Sequence, residues 1–203
     1  MVWSDPDRRI ILASQSPRRR EILEGLGMHF TVVRPSVGNE AAFLSGTPLR
    51  RGLLELALAK AESVSRTRPH ALVLGADTVV VIGGSVLGKP RNRRDAAAAL
   101  RRLSGKMHTV FTAVALVCRA CGFSKCAVAA TRVRFRNLAK WEIDRYLARG
   151  EHEDKAGAYA IQGRAMAFVD SITGCYYNVV GLPVAETIHL FQAYAEGKGA
   201  ENA

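Results

Sequence analysis

Ile10-Ile11-Leu12-Ala13-Ser14-Gln15-Ser16-Pro17-Arg18-Arg19-Arg20-Glu21-Ile22-Leu23 reads as a strand feeding straight into a helix. Ser16 is a favoured N-cap, and Pro17 suits the first helical position because its missing N–H would have no helical partner there. Gly25 or Gly27 offers the stop. Ile22, Leu23 and Leu26 then share one face, so the helix has a core side. Its N-terminus carries unpaired N–H groups, the positive end of the macrodipole, two hydroxyls and an arginine cluster. Such an end suits an anion, phosphate foremost.

With 203 residues, 48% of them hydrophobic, the chain is long enough for one well-packed domain and short for two. We read residues 1–203 as a single domain, with 1–8 and 196–203 expected to fray. Lys and Arg number 29 against 18 Asp and Glu, a net charge of +11 that permits nucleic acid, anionic lipid or a polyphosphorylated small molecule as partner. Aromatic residues make up 7% and are not interleaved with the basic ones, which argues against a nucleic-acid platform. No stretch approaches the roughly 20 apolar residues that span a bilayer, and Asp5, Asp7, Arg8 and Arg9 interrupt any signal-peptide core. The expectation is a soluble, cytoplasmic protein with no membrane partner. Cys118, Cys121, Cys126 and Cys175 do not make a disulfide scaffold, and reduced thiols are the default. Cys118-x2-Cys121 has the spacing of half a zinc site, but the second half-site is missing and the segment reads as a hairpin tip.

Further along, Phe30–Val33 reads as a short strand and 34–48 as a loop. Leu49–Val64 is a strong helix whose buried face includes Leu53, Leu54, Leu56, Ala57 and Ala61, with Lys60 among them. Ala71–Leu74 and Thr78–Ile82 read as two strands separated by Gly75-Ala76-Asp77, and Gly83-Gly84-Ser85 turns the chain back through Val86-Leu87. An Ala-rich helix, Arg93–Leu103, ends at Gly105. Strands follow at Val110–Val117 and Ala127–Phe135, then a helix at Ala139–Ala148, a polar glycine-punctuated stretch 150–163, a strand at Ala165–Val169, a turn and further strand within Ile172–Val184, and a last helix from Pro183 or Val184 to Ala195. Helices and strands alternate with at least one hairpin, which predicts an α/β fold with a mixed, helix-flanked sheet.

Several polar residues stand out against this background. Asp77 lies between two apolar strand halves, where a carboxylate is desolvated unless it meets a cation, a metal or water; a turn aspartate bonding its own backbone is the plainer alternative. Lys89, in Gly88-Lys89-Pro90, is fixed by a rigid X-Pro junction and can address phosphate as a point charge, or stand as a solvated loop lysine. Lys60 either snorkels or points into a cleft. In Asp154-Lys155-Ala156-Gly157-Ala158-Tyr159-Ala160-Ile161-Gln162-Gly163, small residues admit close backbone approach, and the Gln162 amide can both donate to and accept from a base edge. Arg91, Arg93, Arg94, Arg101 and Arg102 spread around their helix as a solvated face.

Taken in order, Leu12-Ala13-Ser14-x-Ser16-Pro17-Arg18-Arg19, Gly75-Ala76-Asp77-Thr78, Gly88-Lys89-Pro90, Leu103-Ser104-Gly105-Lys106-x-His108, Thr112-Ala113-Val114, Asp154 to Gly163 and Val180-Gly181-Leu182-Pro183 resemble the Maf family of nucleotide pyrophosphatases. The resemblance runs from about Ile10 to Phe191. It implies a mixed twisted central sheet flanked by helices, in two lobes with a cleft between, similar to the inosine triphosphatase-like fold. It implies cleavage of a nucleoside triphosphate between the α- and β-phosphates, with a divalent metal, Mg²⁺ or Mn²⁺, and a homodimer. The motifs look like the branch acting on dTTP and UTP. Asp77 matches that branch's proton acceptor, Arg18, Thr78 and Gln162 its specificity positions, and Ser14, Arg19, Lys60 and Lys89 its phosphate site. The family's acidic cluster after the second strand is replaced by Pro35-Ser36-Val37-Gly38-Asn39-Glu40, so Glu40, as a metal ligand beside Asp77, or Asn39 takes the acidic place. Ala160 stands where the family often has glycine. The alternatives are pyrophosphatases of 7-methyl-GTP or other modified nucleotides, and a basic nucleic-acid-binding regulator of cell division.

Overall fold

A computed structural model describes residues 9–201. Seven strands form one mixed sheet: β1 (Ile10–Ala13), β2 (Phe30–Val32), β3 (Leu72–Ile82), β4 (Ser85–Leu87), β5 (Met107–Cys118), β6 (Phe123–Phe135) and β7 (Val169–Thr173). The order is β2-β1-β3-β5-β6-β7, with β4 on β3. β1 is parallel to both β2 and β3, whereas β3 with β4 and β6 with β7 are antiparallel. The helices are α1 (Pro17–Gly25), α2 (Glu40–Phe43), α3 (Leu49–Ser65), α4 (Arg93–Leu103), α5 (Lys140–Leu147), α6 (Tyr176–Val180) and α7 (Val184–Glu201). This is the mixed, helix-flanked sheet that the alternation of elements predicts. Among the described residues no helix is long and apolar enough to cross a membrane.

The chain divides into two compact units, the first comprising the residues up to Asp77, Thr112–Ala129 and those from Gly181 on, the second Thr78–Phe111 and Ala130–Val180. In the first unit, all of β1 is buried, as is β3 from Leu72 to Ala76. Strands covered on both faces read as continuous apolar runs rather than alternating ones. The face that α3 buries carries Leu53, Leu56, Ala57, Ala61 and Val64. Each of its large aliphatic side chains contributes about 1.5–3 kcal/mol on burial. In the second unit, β6 alternates cleanly, Thr131, Val133 and Phe135 buried and Ala130, Arg132 and Arg134 exposed. Phe135, His108, Tyr159 and Phe168 pack edge-to-face beneath it, with ring centroids 4.9–6.0 Å apart. Gly83 and Gly84, at φ +54° and +72°, close the β3–β4 hairpin as two consecutive left-handed residues require.

Four sequence expectations need correction. β3 is one continuous strand, not two halves around a turn at Gly75-Ala76-Asp77. The 34–48 segment contains the short helix α2. Arg164–Phe168 is a 3₁₀ helix rather than a strand, because Ala165 and Phe168, three apart, are its buried residues; the strand follows it, at β7. Tyr176–Val180 is helical, which turns Asn178 and Val180 inward and leaves Tyr176 and Tyr177 half-exposed. Of the ends expected to fray, residues 1–8 and 202–203 lie outside the described residues, and α7 continues past Ala195 to Glu201.

Candidate active site

Gly75 sits in regular strand conformation, and its lack of a side chain serves packing. A Cβ there would collide with the carbonyl oxygen of Ala57 and come within 2.7 Å of the amide nitrogen of Ala61. The backbone of α3 therefore lies directly on β3 at this point, an approach only glycine allows. Side chains two apart on a strand share a face, so Asp77 projects on the same side as Gly75 and meets the residue preceding Ala61. That residue is Lys60. Its Nζ lies 2.7 Å from Asp77 Oδ1 and 3.0 Å from Glu40 Oε2. Lys60 is buried, 7% exposed, while the Glu40 side chain is 48% exposed, so the group is closed on the lysine side and open on the glutamate side. A buried ammonium is tolerable because two carboxylates meet it. Of the two candidates for the acidic position, Glu40 is the one that reaches the group; Asn39 is the N-cap residue of α2.

The parallel register places Ala13 beside Gly75, and Ser14 and Ala76 are the next residues along the two segments. Ser14 is buried, and its Oγ accepts the N–H of Ser16 at 3.2 Å and Nη1–H of Arg19 at 3.0 Å. Ser16 is indeed the N-cap residue of α1, but its hydroxyl makes no capping bond. Arg19 also donates from Nη1 to Ala76 O at 3.0 Å and from Nε to Gly181 O at 2.8 Å. Burial pulls its guanidinium below the usual arginine range; Asp77 and Glu40 oppose that shift and Arg18 adds to it. Arg18 is half-buried on α1, and Arg20 is exposed and pairs with Glu24 at 2.9 Å. Ser14, Arg19, Glu40, Lys60 and Asp77 are thus one connected group within the first unit.

Thr78, Lys89 and Gln162 belong to the second unit. Thr78 is half-buried on β3, and Lys89 and Gln162 are exposed. The segment bearing Gln162 is held by several devices. Asp154, Gly157 and Ala158 adopt positive φ, Gly157 donates its N–H to Gly88 O at 3.2 Å, and a Cβ on Gly157 would press on Val80 at 3.1 Å. Gly88 precedes Lys89, so the lysine and this segment share an anchor. The Tyr159 hydroxyl lies 2.9 Å from His108 Nε2, and Ala160 donates its N–H to the Tyr146 hydroxyl at 3.2 Å. Burial lowers His108 to about 4 and raises Tyr159, so both rings are neutral at neutral pH. Sequence reasoning gave no role to His108, Gly181 or the Ala76 carbonyl. A glycine inside a strand was the available signal for the close approach at Gly75.

Magnesium and manganese take hard oxygen ligands, and magnesium is commonly held by one or two carboxylates together with phosphate oxygens and water. Asp77 and Glu40 already converge on one cation, the Lys60 ammonium, so the donor set fits such an ion. Among the described residues no group of three or more His, Cys, Asp and Glu is placed to hold a metal. The four cysteines are free thiols; Cys118, Cys121 and Cys126 lie in or beside the turn joining β5 and β6, as the hairpin reading expects. Just before α4, Arg91 pairs with Asp95 at 2.8 Å, and on the helix Arg93 and Arg102 donate to Asp144 O and Ile82 O.

The family model described as Maf-like protein matches residues 9–194. A protein named dTTP/UTP pyrophosphatase from Pelotomaculum thermopropionicum is 46% identical over 187 residues, covering 92% of this chain and 97% of the relative. One of the same name from Anaeromyxobacter dehalogenans is 50% identical over 186 residues, 91% of this chain and 93% of the relative. Among solved structures, a HAM1 protein from Coxiella burnetii is similar over 63% of this chain and 73% of its own, at 14% identity and a TM-score of 0.41.

Proposed function

The chain belongs to the Maf-like protein family, and on that footing we propose that it is a nucleoside triphosphate pyrophosphatase that hydrolyses dTTP and UTP to the monophosphate and pyrophosphate. The observation that carries the reading is the buried Lys60 held between Asp77 and Glu40 beside Ser14 and Arg19. Water attack at the α-phosphorus needs a proton acceptor for the water and cations for the charge that gathers on the phosphate oxygens. Asp77 accepts the proton, oriented by its ion pair with Lys60. Lys60 and Lys89 are the point charges for the phosphates, and Ser14 adds a hydroxyl donor. Arg18, Thr78 and Gln162 select the nucleotide, Gln162 through an amide that both donates and accepts. Glu40 and Asp77 would hold a divalent cation, Mg²⁺ or Mn²⁺, which supplies charge neutralisation and a more acidic water when bound. A cytoplasmic homodimer is part of the same proposal, and light scattering giving the mass of two chains would support its oligomeric part.

The test is a substrate panel of dTTP, UTP, CTP, 7-methyl-GTP and dITP, each with Mg²⁺ or Mn²⁺, with pyrophosphate release measured. Turnover of dTTP and UTP above the others is expected. Turnover of 7-methyl-GTP alone would move the chain to another branch, and no turnover of any nucleotide would end the enzyme reading.

A further inference from the structure

We propose that Arg19 is a positioning residue rather than a phosphate ligand: it commits the Ser14 hydroxyl to act as a donor and ties down the backbone that carries Asp77. The proposal rests on the pyrophosphatase reading and refines the part Arg19 plays in it. A serine hydroxyl has one proton and two lone pairs. Ser14 Oγ accepts from Ser16 N at 3.2 Å and from Arg19 Nη1 at 3.0 Å. Both partners are donors and can accept nothing, so the hydroxyl proton is directed away from them. What complements it is an acceptor, such as a phosphate oxygen, and not a cation or another N–H group.

Arg19 does more than set that direction. Nη1 also donates to the carbonyl of Ala76, the residue before Asp77, and Nε donates to the carbonyl of Gly181, at the approach to α7. One guanidinium therefore joins the end of β1, the Asp77 segment of β3 and the chain entering α7. The side chain is buried, 9% exposed, so these carbonyls gain donors that water would not readily replace. A planar fork with donors in fixed directions can serve three acceptors at once, whereas a lysine ammonium concentrates its donors on one atom. Acting through Ser14 and the Asp77 backbone, Arg19 should influence turnover more than substrate capture.

A double-mutant cycle tests this, with Ser14→Ala, Arg19→Lys and the double variant assayed for kcat and KM with dTTP, and inorganic tripolyphosphate used as a competing ligand. Each single change should lower kcat/KM on the order of tenfold to a hundredfold, Arg19→Lys mainly through kcat. In the Ser14→Ala background, Arg19→Lys should leave the tripolyphosphate inhibition constant within about threefold, since its effect on that ligand passes through the missing hydroxyl. Losses that multiply, with tripolyphosphate affinity falling by a further factor of about ten, would make Arg19 an independent phosphate ligand and overturn the proposal. The wild-type protein gives a second readout should the variant not fold. Its Arg19 Nε–H resonance should be protected from exchange before any ligand is added and keep its position with tripolyphosphate; a signal seen only with tripolyphosphate would contradict the brace. Absence of dTTP and UTP turnover in the wild type strikes the pyrophosphatase reading instead, and leaves the resonance measurement able to judge Arg19.

Discussion

Asp77 and Lys60 meet at 2.7 Å because Gly75, two residues before the aspartate, lets the helix that carries the lysine rest on the strand. The contact joins residues seventeen apart in the chain, and it makes the carboxylate part of a charge group rather than a turn. Removing either the charge or the close approach gives separable consequences.

Asp77→Asn should lower dTTP turnover by about 10² to 10⁴, the usual range for a positioned proton-transfer group. The fold should survive, because Lys60 keeps Glu40 as an anionic partner. Initial rates and a thermal melt on the same preparation check both halves. Turnover within threefold of wild type would remove Asp77 from the mechanism.

Gly75→Ala is expected to cost at least about 1–3 kcal/mol, the range for overpacking, because the obstacles are the backbone atoms of Ala57 and Ala61 rather than flexible side-chain ends. Relief requires α3 to move off β3, which carries Lys60 away from Asp77, so activity should fall together with the urea midpoint. A variant as stable as wild type would show that α3 can yield at this point without cost.

Glu40→Gln keeps shape and removes a charge at a side chain that is 48% exposed, so stability should change little. The concentration of Mg²⁺ or Mn²⁺ giving half-maximal activity should rise by about tenfold or more if Glu40 helps hold the ion. An unchanged metal titration would exclude Glu40 as a ligand.

Acid sensitivity should arise in the second unit. Burial holds His108 at about 4 against an ordinary 6.5, so the unfolded chain binds the extra proton first, and the contribution of the neutral ring, complete above pH 6.5, is lost between there and about pH 4. The same sign applies to Glu142, drawn down to about 2 from 4.5 by its hydrogen bonds to Arg136 and then to the Ala139 amide, over a lower range that ends near pH 2. Denaturant midpoints measured from pH 8 to pH 3 should therefore decline below about pH 6.5, and His108→Gln should flatten the decline between 6.5 and 4. An equally steep decline in that variant would place the sensitivity elsewhere.

Much of this protein is legible from local chemistry. The apolar run at Ile10–Ala13, the proline at the first position of α1, the Ala-rich α4 and the glycine pair after β3 each reflect forces acting over a few residues, and those elements stand where periodicity and turn chemistry put them. The motifs that carry the resemblance to the Maf family are likewise open to reading. Local reasoning fails where a distant partner decides. Gly75-Ala76-Asp77 has the composition of a turn but lies in a strand, because the glycine answers the backbone of α3. Tyr176-Tyr177-Asn178-Val179-Val180 has the aromatic and β-branched content of a strand but is helical, turning Asn178 inward to donate to Val110 O and Thr131 Oγ1. The ion pair of Glu40 with Lys60 and the hydrogen bond from Arg19 to Ser14 belong to the tertiary structure alone. Both depend on which side chains and carbonyls converge in space, and a backbone carbonyl such as Ala76 O or Gly181 O leaves no trace in residue type.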